Sequence, residues 1–264
     1  MKRFFGKNVF MFIFIIYSFL LILPAFAADI TISTNTTWQA GTYTYNNVLV
    51  TNGAALIFNG IVALNAQNIT VDSGASISAD AKGYAGGYNT SSGQGPGGGA
   101  YKSGGGYGGK GGGVSGGASY GSSLLPADLG SGGGGGYYYW AVSGGAGGGA
   151  IKLIVSNKLI INGLITAKGA NGADSSGGGS GGTIYISANA IEGSGTITAN
   201  GGSGGRYGVN NTLGPGGGGG RITVCYQSSA FTGTAQAKCG TAGAGNDEDG
   251  TVAFIDVSNN IFYP

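Results

Sequence analysis

Histidine is absent from this chain of 264 residues, and charged side chains make up only 8% of it. Without histidine there is no imidazole to act as a general base, to activate a serine or cysteine, or to bind a metal ion. This absence excludes most of the familiar hydrolase and metalloenzyme sites. Cysteine is scarce too, and two cysteines without a histidine make a poor set of zinc ligands. No cofactor is predicted.

The few charges are nearly balanced, with 12 Lys and Arg against 10 Asp and Glu. Three cations in the first seven residues precede an apolar run that ends in Ala25-Phe26-Ala27. This pattern is typical of a secretory signal peptide over residues 1–27, although an uncleaved anchor is the alternative. Cleavage would leave nine cations against ten acids, a balance that argues against nucleic acid as a partner. We therefore expect a protein that is secreted or at the cell surface, with no membrane span after cleavage.

Glycine, in contrast, is abundant, with 61 residues, and its tracts lie between short strand-like segments. One kind of segment occurs four times, at intervals of 33, 38 and 30 residues: Ile151–Leu153, Ile184–Ile186, Ile222–Val224 and Val252–Phe254. Apolar side chains at alternate positions indicate strands rather than helices. A second kind recurs around Ile77, Ile165, Ile197 and, more weakly, Ala235.

Self-similarity at this period is typical of a solenoid. Residues 46–83 contain further short strands broken by Asn-Gly and Ser-Gly turns. The sequence therefore predicts an all-β protein, a parallel β-helix whose stacked coils bury one apolar column. We expect residues 28–264 to form a single domain whose terminal coils are capped against edge pairing.

The glycine tracts would then be inserts from successive coils, lying side by side. Glycine allows two backbones to approach closely, and glycine-dense segments can pack as polyproline II helices. Floppy, solvated loops are the alternative interpretation.

Four stretches carry a resemblance to a known group: "GGGSGGTIYI", "GSGTITANGGSGG", "GGGGGRITV" and "FTGTAQAKCG". They resemble the glycine-rich repeats of secreted and surface proteins from bacteria, plants and algae. Those proteins are regarded as pectin-lyase-like, right-handed parallel β-helices. The resemblance covers about residues 46–256 and implies an adhesin-like role, but it carries no catalytic residue.

A longer Gly- and Tyr-rich insert occupies about residues 83–149. A loop of this length in a compact protein is usually functional or disordered. Its densest aromatic cluster offers flat stacking surfaces for a glycan or another partner. The alternative is that the rings pack on the solenoid and order the insert. The candidate ligand-stacking residues are Tyr137, Tyr138, Tyr139 and Trp140.

Two further sites are candidates. The acidic run Asp247, Glu248 and Asp249 has the hard oxygen ligands that Ca²⁺ prefers, but a solvated acidic turn is the favoured interpretation. The sequence predicts a disulfide between Cys225 and Cys239, since disulfides persist in exported chains and this one would close a short loop. Alternation places them on opposite faces unless a turn intervenes, so two separate thiols are the alternative.

We therefore expect a non-enzymatic, structural or adhesin-like extracellular protein that contacts glycans, a cell-surface partner or other copies of itself. A polysaccharide lyase or hydrolase is the alternative, since β-helices host both, but the acids are scattered along the chain. A minor alternative is an ice-binding protein. Its threonine ladder would comprise Thr166, Thr196, Thr198, Thr223 and Thr251.

Overall fold

The computed structural model describes residues 28–137, 140–207, 212–241, 246–258 and 261–263. The predicted signal peptide, Tyr138 and Tyr139 lie outside these residues. The described residues form sixteen strands and no helix. The strands are β1 (Ile30–Ile32), β2 (Thr36–Val50), β3 (Ala55–Val71), β4 (Ser76–Ser78), β5 (Gly136–Tyr137), β6 (Ala141–Val142), β7 (Ala150–Ile161), β8 (Leu164–Thr166), β9 (Thr183–Gly193), β10 (Thr196–Thr198), β11 (Arg206–Tyr207), β12 (Thr212–Leu213), β13 (Arg221–Phe231), β14 (Thr234–Gln236), β15 (Thr251–Asp256) and β16 (Ile261–Tyr263).

Twelve of these strands form one sheet, in which every pair except β15–β16 is parallel. The all-β, parallel β-helix prediction is therefore confirmed. Each coil has three faces, and register shifts mark some of the corners between them. The first face contains the starts of β2 and β3, then β4, β8, β10 and β14. The second face contains the middle of β2 and β3, the first halves of β7, β9 and β13, and β15. The third face contains β1 and the ends of the long strands.

The register agrees with the repeats in the sequence. Ile151, Ile184, Ile222 and Val252 lie opposite one another on the second face. Ile77, Ile165, Ile197 and Ala235 do the same on the first face. The side chains of Ile151, Ile184 and Ile222 are fully buried in one core cluster. Because each coil adds identical apolar positions above and below its neighbours, the column is continuous along the solenoid.

Both ends of the column are closed. In the first coil, the Trp38 ring stacks on Tyr43 and Tyr45, with centroids 4.4 and 5.6 Å away, and lies 5.8 Å from the Phe58 ring. At the other end, β16 pairs antiparallel with β15. An antiparallel last strand ends the parallel stacking on that face.

A ladder of asparagine side chains, which sequence analysis did not identify, supports the corner between the second and third faces. Asn157 donates its amide to Asn68 at 2.8 Å, and Asn68 donates to Asn47 at 2.8 Å. Asn47 donates in turn to the Asp29 carboxylate, also at 2.8 Å. A carboxylate can only accept hydrogen bonds, so Asp29 ends the ladder with no amide left to satisfy beyond it.

The glycine tracts all leave the solenoid at one corner, between the first and second faces. Four inserts connect these faces: residues 79–149, 167–182, 199–220 and 237–250. We call the structure that they form together the glycine bundle.

Hydrogen bonds within the glycine bundle recur every three residues. Gly145 and Gly148 donate to the carbonyls of Gly177 and Ser180, and Gly178 and Gly181 donate to those of Pro215 and Gly218. The distances are 2.9 and 3.0 Å, respectively. Three residues per turn is the repeat of a polyproline II helix. The inserts are therefore packed extended segments, as the first interpretation predicted, and not solvated loops.

Close backbone contact explains why these segments are glycine. A Cβ atom added to Gly145 would lie against the carbonyl oxygen of Ala170, and one on Gly217 against that of Gly179, far inside van der Waals contact in both cases. Most glycines of the bundle are in the same situation. Only a residue without a side chain allows this spacing.

Candidate binding surface

The longest insert is fixed to the solenoid by a buried tyrosine, a half-buried tyrosine and a buried arginine. Tyr107 is fully buried, and its hydroxyl lies 2.6 Å from Thr183 Oγ1 on β9. Arg221, on β13, donates to the Tyr120 carbonyl from Nε at 3.0 Å and from Nη2 at 2.7 Å. Its guanidinium carbon lies 5.5 Å from the centroid of the Tyr107 ring. These contacts join the insert to the second face.

Burial dominates the electrostatics of this junction. It raises the pKa of Tyr107, and the hydrogen bond with Thr183 only partly offsets the effect. Burial raises the pKa of Tyr120 as well. Both phenols therefore stay protonated at physiological pH and act as hydrogen-bonding groups. Tyr107 and Tyr120 therefore fit the alternative interpretation, in which the aromatic residues order the insert.

Residues 121–129, which we call the crossing loop, continue across the outside of the second face. Thr223 Oγ1 donates to the Ser123 carbonyl at 2.8 Å, and Thr183 Oγ1 donates to the Asp128 carbonyl at 2.7 Å. The solenoid threonines therefore satisfy backbone carbonyls of a crossing loop. Leu125 of this loop remains 68% exposed.

Other aromatic residues of the insert face solvent. Tyr137 and Trp140 belong to the hairpin β5–β6, and Tyr88 pairs with Ser143 immediately after it. Tyr88 is 61% exposed, Tyr137 51% and Trp140 60%. Ser143 lies six residues along the extended chain from the corner at Gly149, so these rings lie about 20 Å out along the bundle at ~3.1 Å per residue. We call these three residues the distal aromatic group.

A polar cavity lies on the inserts next to the distal aromatic group. It measures about 450 Å³, and its lining includes Asn171, Asp174, Ser203, Arg206 and Thr241. Backbone contacts connect it to the hairpin, because Ala173 of the lining donates to the Ser143 carbonyl at 3.0 Å. Amide, carboxylate and guanidinium groups therefore line a cavity whose backbone is one hydrogen bond away from Ser143, the residue after the hairpin. Sequence analysis missed this cavity because its lining comes from three separate inserts.

The acidic run does not form a three-carboxylate cluster. Asp249 accepts from Lys238 Nζ at 2.7 Å and from the Cys239 amide at 2.8 Å, and the lysine holds the pKa of this carboxyl below its usual range. Glu248 accepts from the Lys110 amide at 3.3 Å. Among the described residues, no three His, Cys, Asp or Glu side chains lie close enough together to bind a metal ion.

The predicted disulfide is wrong, because Cys225 and Cys239 are both free thiols. Cys225 lies on the second face, opposite Ser187 and Ile255, at an outward position of the alternation. From there the chain passes along the third and first faces before it reaches Cys239 at the base of the fourth insert. No tight turn brings the two residues together, so the opposite orientation expected from alternation persists.

Neither a threonine ladder for ice binding nor a pair of catalytic carboxylates is evident in the described residues. Thr166, Thr198 and Thr223 are buried, so the predicted threonine ladder does not form a continuous exposed surface. Several carboxylates have local partners. Asp80 accepts from Thr166 Oγ1 and the Lys168 amide, both at 2.6 Å, and Glu192 pairs with Lys158 at 2.7 Å.

The part of the chain that the structure describes contains no helix of the length and apolar character needed to cross a bilayer. Comparison with protein-family models, curated proteins and solved structures found no match to this chain. The interpretation of its function therefore depends on its own residues.

Proposed function

We propose that the protein is a non-enzymatic extracellular binding or structural module whose distal aromatic group contacts glycans. The observation that carries this proposal is the exposure of Tyr88, Tyr137 and Trp140 on a hydrogen-bonded scaffold. A flat ring with a polar edge suits the apolar face of a sugar. The adjacent polar cavity supplies donors and acceptors for sugar hydroxyls.

A rigid support favours binding. The rings stand on backbone segments that are hydrogen-bonded to neighbouring inserts, so little conformational entropy is lost when a ligand orders them. A secreted, adhesin-like role fits this arrangement, and so does the resemblance to glycine-rich surface proteins. We propose no catalytic role, since the carboxylates of Asp80, Glu192 and Asp249 are engaged with separate partners.

The test is binding of the exported protein to a glycan array, followed by calorimetry with the best ligand. The triple variant Tyr88→Ala, Tyr137→Ala and Trp140→Ala should lose at least tenfold in affinity, since stacking rings dominate such contacts. Tyr101→Ala is the matched control, because Tyr101 is also exposed but lies elsewhere on the insert. Retained affinity in the triple variant, or glycan cleavage by the wild type, would refute the proposal.

A further inference from the structure

A second concave site lies on the outer surface of the solenoid, away from the distal aromatic group. The crossing loop and the second face enclose a groove of about 310 Å³. Its floor includes Ile61, Ala150, Ile154 and Tyr185, and Leu125, Pro126 and Ala127 form its wall. Volumes of this order are at the small end of ligand pockets. We call it the loop groove.

The composition of the loop groove departs from the usual pattern of a solvent-facing sheet. Outward positions on an exposed face are normally polar. Here Ile61 is 50% exposed and Leu125 68% exposed, and they lie in the same concavity. Neither residue belongs to the apolar column. Packing of the core therefore does not explain these exposed apolar side chains, and exposed apolar patches mark interaction sites.

One cation, Lys152, lines the loop groove. Its Nζ lies 5.8 Å from the centroid of the Tyr185 ring. The ion pairs among the described residues join Lys158 to Glu192 and Lys238 to Asp249, so Lys152 has no carboxylate partner there. An apolar concavity with an uncompensated ammonium group complements a ligand with an apolar body and a single negative charge.

We propose that the loop groove binds a small amphipathic carboxylate, such as a medium-chain fatty acid. The acyl chain lies against Ile61, Ile154 and Leu125, and the carboxylate meets the Lys152 ammonium group. Apolar burial supplies most of the affinity, and the charge selects the acid over its neutral analogue. This site is separate from the proposed glycan surface and does not depend on it.

The test uses calorimetric titration of the exported protein with decanoate and with decanol, below their aggregation concentrations. Ile61→Asp should abolish binding of both ligands, because it places a charge where the acyl chain lies. Lys152→Gln should weaken decanoate binding about fivefold and leave decanol unchanged, since an exposed ion pair contributes up to ~1 kcal/mol. Both side chains are exposed and lie outside the apolar column, and circular dichroism of each variant checks that it folds.

Two matched controls accompany these variants. Lys102→Gln removes another lysine that lies over a tyrosine ring, at 5.2 Å from Tyr101, and should change nothing. Val114→Asp introduces the same charge at a fully exposed site and should be equally silent. The proposal is wrong if decanoate does not bind, if Lys152→Gln weakens both ligands alike, or if the controls match the groove variants. Stable cosedimentation of the wild type with phosphatidylglycerol vesicles would instead assign the groove to a lipid surface.

Discussion

The solenoid and the glycine bundle meet at one corner of the same chain, yet they are stabilised in opposite ways. In the solenoid, side chains such as Ile184 fill a continuous apolar column. In the bundle, backbones lie so close together that side chains are excluded, and hydrogen bonds every three residues connect the segments. Removing side-chain atoms should therefore destabilise the solenoid, and adding side-chain atoms should destabilise the bundle.

Removing atoms from the apolar column should give the largest effect. Ile184→Ala should lower the free energy of unfolding by about 2–5 kcal/mol, because a fully buried side chain is replaced by a cavity. Urea denaturation followed by circular dichroism measures the change. Ser187→Ala on the same strand points outward and should cost less than about 0.5 kcal/mol. Equal losses in the two variants would show that the column is not the main source of stability.

Adding one methyl group to the bundle should give an intermediate effect. Gly145→Ala should cost about 1–3 kcal/mol, because the new Cβ meets the Ala170 carbonyl and the two backbones must separate. Gly112→Ala is the matched control. Its added Cβ would lie 3.2 Å from the Asp247 Cβ and 3.3 Å from the Gly216 carbonyl oxygen, so a shift of a few tenths of an ångström relieves the contact and a smaller loss is expected. The same urea titration compares the variants, and a tolerated Gly145→Ala would mean that the segments are not tightly packed.

Raising the pH should give the smallest effect on stability, through the thiols of Cys225 in the solenoid and Cys239 in the bundle. Burial, followed by the hydrogen bond with Asp249, raises the pKa of Cys239 to about 11, and burial raises the pKa of Cys225 as well. Because the thiolate is the reactive form, alkylation of the folded protein should be slow at pH 8 and faster towards pH 11. The same shifts should lower stability as pH rises from the ordinary thiol pKa towards the folded value.

Intact mass spectrometry checks the covalent state behind that prediction. Alkylation of the denatured, unreduced chain should modify both Cys225 and Cys239. A monomer with neither cysteine modified would show that the disulfide forms after all, contrary to the structure.

The apolar column could be predicted from the sequence. The spacing of Ile151, Ile184 and Ile222 alone aligns them, because the alternation of a strand and the period of a repeat are local properties. The distal aromatic residues Tyr137 and Trp140 were also identified from the sequence. The role of Tyr107 was not, since nothing near it in the chain indicates that it contacts Thr183 and Arg221, 76 and 114 residues away.

Side-chain size and alternation are local properties, and they were enough to predict the strand class, the coil register and the glycine between the coils. The folded structure was needed to show which inserts pack together, where the crossing loop meets the second face and why Cys225 stays apart from Cys239. Those outcomes depend on how coils of different length place distant segments at one corner. The loop groove is a product of that placement, since Ile61 and Leu125 come from parts of the chain that share no local pattern.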